Sequence, residues 1–195
     1  MKSILKFENR PFKTIEEHDN ALISSCCLKT TKDDIIIHIG DLFCYKSDIH
    51  NNQNIIEKSI NIKPNYILNK IPANFINIRG NHDINNKVKS LCESMRIKLG
   101  KRFPSVSIGH YPSYDIHAKD SFINGDIRLC GHVHKKWKHC LDLDHSVLNI
   151  NMGVDVWNYH IVGEDELISY IEKILNLPKD QIIKARLING KIKLV

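Results

Sequence analysis

The sequence predicts an α/β fold, in a single domain spanning residues 1–195. Three observations carry that expectation. A capped helix leads straight into an apolar strand, apolar runs ending in glycine recur along the chain, and a second periodic helix precedes a terminal hairpin.

Thr14-Ile15-Glu16-Glu17 has the form of a capping box, in which the Thr14 hydroxyl caps the helix and Glu17 reaches back. That helix is expected to run to about Lys29, with Leu22, Ile23 and Cys26 facing inward. Lys32-Asp33-Asp34 then turns the chain into a buried strand, Ile35 to Ile39, which stops at Gly40-Asp41. Residues 51–70 start with helical character, and Pro64 breaks any long helix there. The next strand, Phe75 to Ile78, ends at Arg79-Gly80-Asn81-His82-Asp83. Val106 to Ile108 leads to Gly109-His110, and Ile127 to Cys130 leads to Gly131-His132-Val133-His134. Val147 to Val156 reads as extended. Leu167, Ile168, Ile171, Ile174 and Leu175 recur at helical spacing, and Pro178 ends that helix. Asn189-Gly190 marks a tight hairpin over about 182–195. Pairing Ile188 with Lys191 puts Lys184, Arg186, Lys191 and Lys193 on one face. A solvated outer face is the simpler reading of that stripe, and a polyanion-binding face is the alternative.

Composition narrows the classes. Hydrophobic residues make up 42% and charged residues 26% of the chain, the balance of a globular protein rather than a disordered one. No apolar run approaches the ~18 residues of a membrane span, and the first residues lack the apolar stretch of a secretory signal. A cytoplasmic protein with no membrane partner is therefore expected. In that setting the six cysteines (26, 27, 44, 92, 130 and 140) read as reduced, mostly buried thiols. A zinc site at Cys130, His132 and His134 is a minor alternative. The net charge of +6 favours anionic partners without forming a dedicated nucleic-acid stripe.

The chemistry gathers at the glycine junctions. Four times an apolar strand runs into glycine and then a metal-capable side chain, giving Asp41, Asn81 with His82, His110, and His132 with His134. Ligands in layered sheet proteins collect where strands end, and glycine lets the backbones crowd there. Any one of these histidines alone reads as an ordinary core or surface residue. Together they predict one convergent site. A carboxylate, a carboxamide and imidazoles form a mixed oxygen–nitrogen shell, which suits Mn, Fe, Zn or Ni better than Ca. His132 and His134 point the same way if that stretch is extended.

Gly40-Asp41, Gly80-Asn81-His82-Asp83, Gly109-His110 and Gly131-His132-Val133-His134 resemble, in order and spacing, the motifs of the calcineurin-like metallophosphoesterases. The likeness covers roughly residues 10 to 160. Asn9-Arg10-Pro11-Phe12, His110-Tyr111-Pro112 and Gly153-Val154-Asp155-Val156 look like its small bacterial and phage members. The resemblance implies a two-sheet β-sandwich flanked by helices, with the site at the strand ends. It implies two divalent metal ions, Mn²⁺ first and Fe, Zn, Ni or Mg as alternatives, and hydrolysis of a phosphomonoester or phosphodiester by a metal-activated hydroxide. Asp41 would bridge the metals, Asn81, His110 and His132 would complete the second shell, and His134 would bind the first metal. His82 would act on the scissile phosphate as a catalytic residue, with Asp83 orienting it. Arg79 and His117 are candidate substrate contacts.

The family's opening strand ends in Asp-x-His, and no Asp-x-His lies upstream of Gly40-Asp41. A start assigned too late, a natural one-metal variant, and a fold kept for binding alone each account for that departure. The first core strand is accordingly expected to be missing. Three functions follow: an active phosphoesterase, a binding module on the same scaffold, and a nuclease-type phosphodiesterase. Its partner would be a phosphorylated small molecule or a nucleotide, with nucleic acid as the alternative, and the oligomeric state is open.

Overall fold

The computed structural model describes residues 4–42, 68–84, 88–188 and 191–194. The expected residues 51–67 and Cys44 lie outside them. A single helical turn, α1 (Ile4–Phe7), precedes α2 (Ile15–Lys29). The Thr14 cap forms, with the Glu17 N–H donating to Thr14 Oγ1 at 3.1 Å, while Glu17 Oε2 reaches one residue past the N-cap and accepts the Lys13 N–H at 2.8 Å. His18, Ser25 and Cys26 are the buried residues of α2, while Leu22 and Ile23 are only half-buried.

Two strands, β1 (Ile35–His38) and β2 (Asn74–Asn77), pair in parallel with Ile35 opposite Asn74. The other strands form a seven-stranded sheet: β3 (Ser94–Leu99), β4 (Phe103–Gly109), β5 (Ile127–Cys130), β6 (His139–Asp142), β7 (Val147–Asn151), β8 (Lys184–Ile188) and β9 (Lys191–Leu194). Its order is β3-β4-β5-β7-β6-β8-β9. The architecture is thus mixed α/β with two sheets of very unequal size. Sequence periodicity misses β3 and β6, whose residues alternate between half-buried and buried or exposed positions.

Strands β4, β5 and β7 run parallel to one another. Such strands are covered on both faces and read as continuous apolar runs. β5 and β7 are indeed buried at every residue. The helix α3 (Glu164–Leu175) buries Leu167, Ile171 and Ile174, which join Ile78, Val106, Ile108, Leu129, Ile150 and Trp157 in the main core. Ile37 and Ile39, from the small sheet, pack against that core. The expected extension to Val156 stops at Asn151, and Val154–Val156 turn into a 3₁₀ helix instead. Asn151 causes the break, because its Oδ1 accepts the Gly153 N–H at 2.8 Å and closes a local turn. At the far edge Ile188 pairs with Lys191, and Arg186 lies opposite Lys193. The cysteines at 26, 27, 92, 130 and 140 are free thiols.

Candidate metal centre

Four strand ends meet on one rim. β1 delivers Gly40-Asp41, β2 delivers Gly80 to Asp83, β4 delivers His110, and β5 delivers Gly131-His132. The crowding there leaves no room for side chains on two glycines. A Cβ on Gly40, whose φ is +85°, would stand 2.6 Å from His110 Nδ1 and 2.7 Å from the Gly80 backbone. A Cβ on Gly80 would collide with Asp41. These glycines let the two junctions of the small sheet touch.

Asp41, Asn81, His110 and His132 come together. Asn81 Oδ1 lies 2.9 Å from His110 Nε2 and 3.1 Å from His132 Nδ1. His110 Nε2 lies 3.2 Å from His132 Nδ1 and 3.3 Å from Asp41 Oδ2. On its other side the His110 ring donates from Nδ1 to the Ile39 carbonyl at 2.9 Å. That bond fixes the tautomer and turns the Nε2 lone pair towards the other three donors. The result is a cluster in which Asp41 Oδ2, Asn81 Oδ1 and the facing imidazole nitrogens can turn lone pairs towards a shared cation or hold protons between them. A proton on His110 is one such cation: burial pulls the imidazole down, but the Asp41 hydrogen bond and charge outweigh it and raise its pKa. Burial likewise pushes the Asp41 carboxyl up, and the His110 bond and charge, with smaller help from His82, hold it below the usual carboxylate range. His132 is lowered by burial and by His110.

A divalent ion fits the same spacing. Donors held about 2.1 Å from one ion at right angles stand about 3.0 Å apart, close to the 2.9–3.3 Å separations of neighbouring donors here. Even so, among the described residues no group of three or more His, Cys, Asp or Glu side chains is set to hold a metal ion. The carboxamide of Asn81 has to be counted for the shell to close, and one Asp41 oxygen is already taken by the His82 N–H at 2.8 Å.

Backbone geometry at the rim departs from what the sequence reading assumes. Asp41, His132 and His134 all adopt positive φ, at 60°, 64° and 50°. Non-glycine residues rarely do so, and such strain gathers at functional sites. The stretch 131–136 is therefore a turn rather than an extended strand, and His132 and His134 diverge. His132 joins the cluster. His134 faces Glu8 Oε1 at 3.8 Å and Asp155 Oδ2 at 3.9 Å. Buried Asn151 grips this turn through its side-chain amide, donating to the carbonyls of His134 at 2.6 Å and Trp137 at 2.7 Å. Asp155 is in turn chelated by Arg10, with both bonds at 2.8 Å. Two stretches singled out from the sequence, 9–12 and 153–156, thus hold each other beside His134.

Asp83 has a task that the sequence did not reveal. It is fully buried and accepts the N–H groups of Asp41, Leu42 and Gly80 at 3.0, 3.0 and 2.8 Å. The Asn77 side-chain amide donates to it too, at 3.3 Å, and Asn77 Oδ1 accepts from His38 Nδ1 at 2.9 Å. Asp83 therefore ties the two small-sheet junctions together. His82 is half-buried and close enough to Asp41 for its charge to act on that carboxyl. Arg79 and His117 both line a cavity of about 180 Å³ that also reaches Asn81 and His110. Cys130 is fully buried, and its thiol contacts the Ile150 carbonyl at 3.7 Å, so it takes no part in a zinc site.

Comparison with known proteins says to which class this mixed α/β fold, with polar side chains gathered at its strand ends, belongs. The calcineurin-like phosphoesterase family matches residues 10–181, and the chain belongs to that family. It is 28% identical, over 177 residues, to an uncharacterized protein of Methanocaldococcus jannaschii, MJ1445, with 88% of this chain and 85% of the relative covered. In fold it is similar to AQ665, a protein of unknown function from Aquifex aeolicus, at a TM-score of 0.56 and 18% identity, covering 86% of this chain and 91% of that one. At family level the chain is a metal-dependent phosphoesterase. Among the described residues no helix is long and apolar enough to cross a membrane.

Proposed function

We propose that this chain hydrolyses a phosphomonoester or phosphodiester of a small molecule or nucleotide. A divalent cation would be held by Asp41, Asn81, His110 and His132, with Mn²⁺ the first candidate and Fe, Zn, Ni or Mg the alternatives. The observation that carries the reading is the convergence of acceptor atoms from four strand ends, with the one ring proton of His110 bonded away to Ile39. When bound, the cation neutralises phosphoryl charge and lowers the pKa of a water near it. The chain's own residues do the rest. Asp41 supplies the compensating negative charge, and Asp83 fixes the spacing of the Asp41 and Asn81 junctions. His82, next to Asp41, supplies the proton that a leaving alkoxide needs. His134 stands beyond the cluster, where the resemblance places a further cation.

Turnover of 4-nitrophenyl phosphate and bis(4-nitrophenyl) phosphate tests this reading. Nitrophenolate release is expected with added Mn²⁺ and not with chelator present. Hydrolysis that persists in chelator at an undiminished rate would rule the reading out.

A second reading, a binding module on the same scaffold, is favoured by His134 facing Glu8 and Asp155 rather than Asp41. It is distinguished by a chain that binds no divalent ion and turns over neither substrate.

A further inference from the structure

The cavity beside the donor cluster is where the rest of a substrate would lie. It has a volume of about 180 Å³, with Asn81 and His110 on its inner side and Arg79, Glu93, Tyr111 and Lys119 among its other walls. Its cations are arranged unevenly. Arg128 is buried and committed, held by Asp120 and by the Ser107 hydroxyl at 2.5 Å. Arg79 and Lys119 are not committed in that way. They reach the cavity from opposite elements, one at the end of β2 and one in the loop that follows β4, and share a single carboxylate. Arg79 Nη1 lies 2.9 Å from Glu93 Oε1, and Lys119 Nζ lies 3.2 Å from Glu93 Oε2.

A guanidinium and an ammonium placed on the two oxygens of one carboxylate make an oxyanion cradle. Glu93 fills it only loosely. All three side chains are well exposed, at 42%, 46% and 74% for Arg79, Glu93 and Lys119. Ion pairs at that exposure contribute little, so a competing anion displaces Glu93 at small cost. A phosphate carries more charge and a third oxygen, and binds the same two cations more strongly.

We infer that Arg79 and Lys119 form a second anion subsite, which takes an oxyanion on the leaving-group side of the substrate and releases Glu93 from both cations. The substrate class is then a phosphoester bearing another phosphate or a carboxylate. This rests on the proposed phosphoesterase reading, in which Asn81 and His110, on the wall of the same cavity, belong to the shell of the cation that the scissile phosphate meets. The Tyr111 ring, its centroid 4.8 Å from that of His132 and 5.2 Å from that of His117, lines the same cavity.

Non-hydrolysable probes separate this inference from catalysis. Calorimetry of the full chain in Mn²⁺ buffer would compare phenylphosphonate, 4-carboxyphenylphosphonate and 1,4-phenylene bisphosphonate. A doubly anionic probe is expected to bind about tenfold more tightly than phenylphosphonate. Arg79→Gln and Lys119→Gln are each expected to shrink that preference, the double variant to abolish it, and Glu93→Gln to enlarge it. Whether the bisphosphonate or the carboxylated probe gains more says which second anion the site takes. Equal affinity for all three probes, or a preference that survives the double variant, overturns the inference. Preference without turnover in the nitrophenyl assay would instead overturn the catalytic reading alone.

Discussion

The two sheets each supply two donors to the rim, but they hold them by different means. His110 and His132 stand on β4 and β5, whose neighbours β5 and β7 are buried at every position. Apolar packing fixes those strand ends. Asp41 and Asn81 stand on β1 and β2, of which β1 begins with an exposed Ile35 and is otherwise half-buried. Here the polar clamp of Asp83, bonding three backbone N–H groups, does the positioning that packing does elsewhere. The difference teaches that one rim can join a stiff apolar sheet to a small one held by a buried carboxylate and two glycines.

The largest effect expected from a single change is on turnover. His82→Ala is expected to lower kcat by about 10²–10⁴, as loss of a general acid does, while Mn²⁺ affinity stays unchanged. A parallel fall in metal affinity would make His82 one of the donors and break the division between rim and cluster.

Stability tests the contrast between the sheets. Ile150→Ala, at a fully buried position of β7, is expected to cost about 3–4 kcal/mol in urea unfolding. Ile37→Ala, at a half-buried position of β1, is expected to cost about 1–2 kcal/mol. Equal costs would mean that the small sheet is packed as firmly as the large one.

The smallest effect lies far from the rim. Asp126 is held below its ordinary value of 3.8, first by the Arg96 hydrogen bond, and Arg96 Nη2 sits 2.6 Å from it. A depressed carboxyl contributes stability that is present above its unfolded pKa and lost as pH falls through the folded one. Because Arg96 stands partly in water, Asp126→Asn is expected to cost only about 1 kcal/mol at pH 7. The cost should vanish at pH well below 3.8. A cost that does not change with pH would make the pair sterically rather than electrostatically important.

Much of this was legible in the sequence because it was local. Thr14 and Glu17 announced a helix start, and Ile-Gly-Asp or Cys-Gly-His announced a strand ending in a functional side chain. Ile188 pairs with Lys191 in the register that Asn189-Gly190 suggests, although those two residues lie outside the described ones. What escaped was long-range or conformational. No periodicity reveals that Asp83 spans 42 residues to hold the Asp41 N–H, or that Arg10 chelates Asp155 from 145 residues away. Positive φ at His132 and His134 was equally hidden, since histidine's enrichment there is too weak to single out a position, and it parts two side chains that an extended strand would have aligned. Strand β3 escaped because its mixed burial produces no clean alternation, and β6 because its alternating burial puts Asp142 at a fully buried position, where hydropathy gives no sign of it.

The central claim is that acceptor atoms from both sheets share one divalent cation. Titration of the metal-free chain with Mn²⁺, beside His110→Ala, tests it most directly. The expected result is saturable binding by the parent chain that weakens at least tenfold in the variant, since the ring at the centre of the cluster is gone. Binding of equal strength in both proteins would contradict the account, and so would no binding by the parent chain at all.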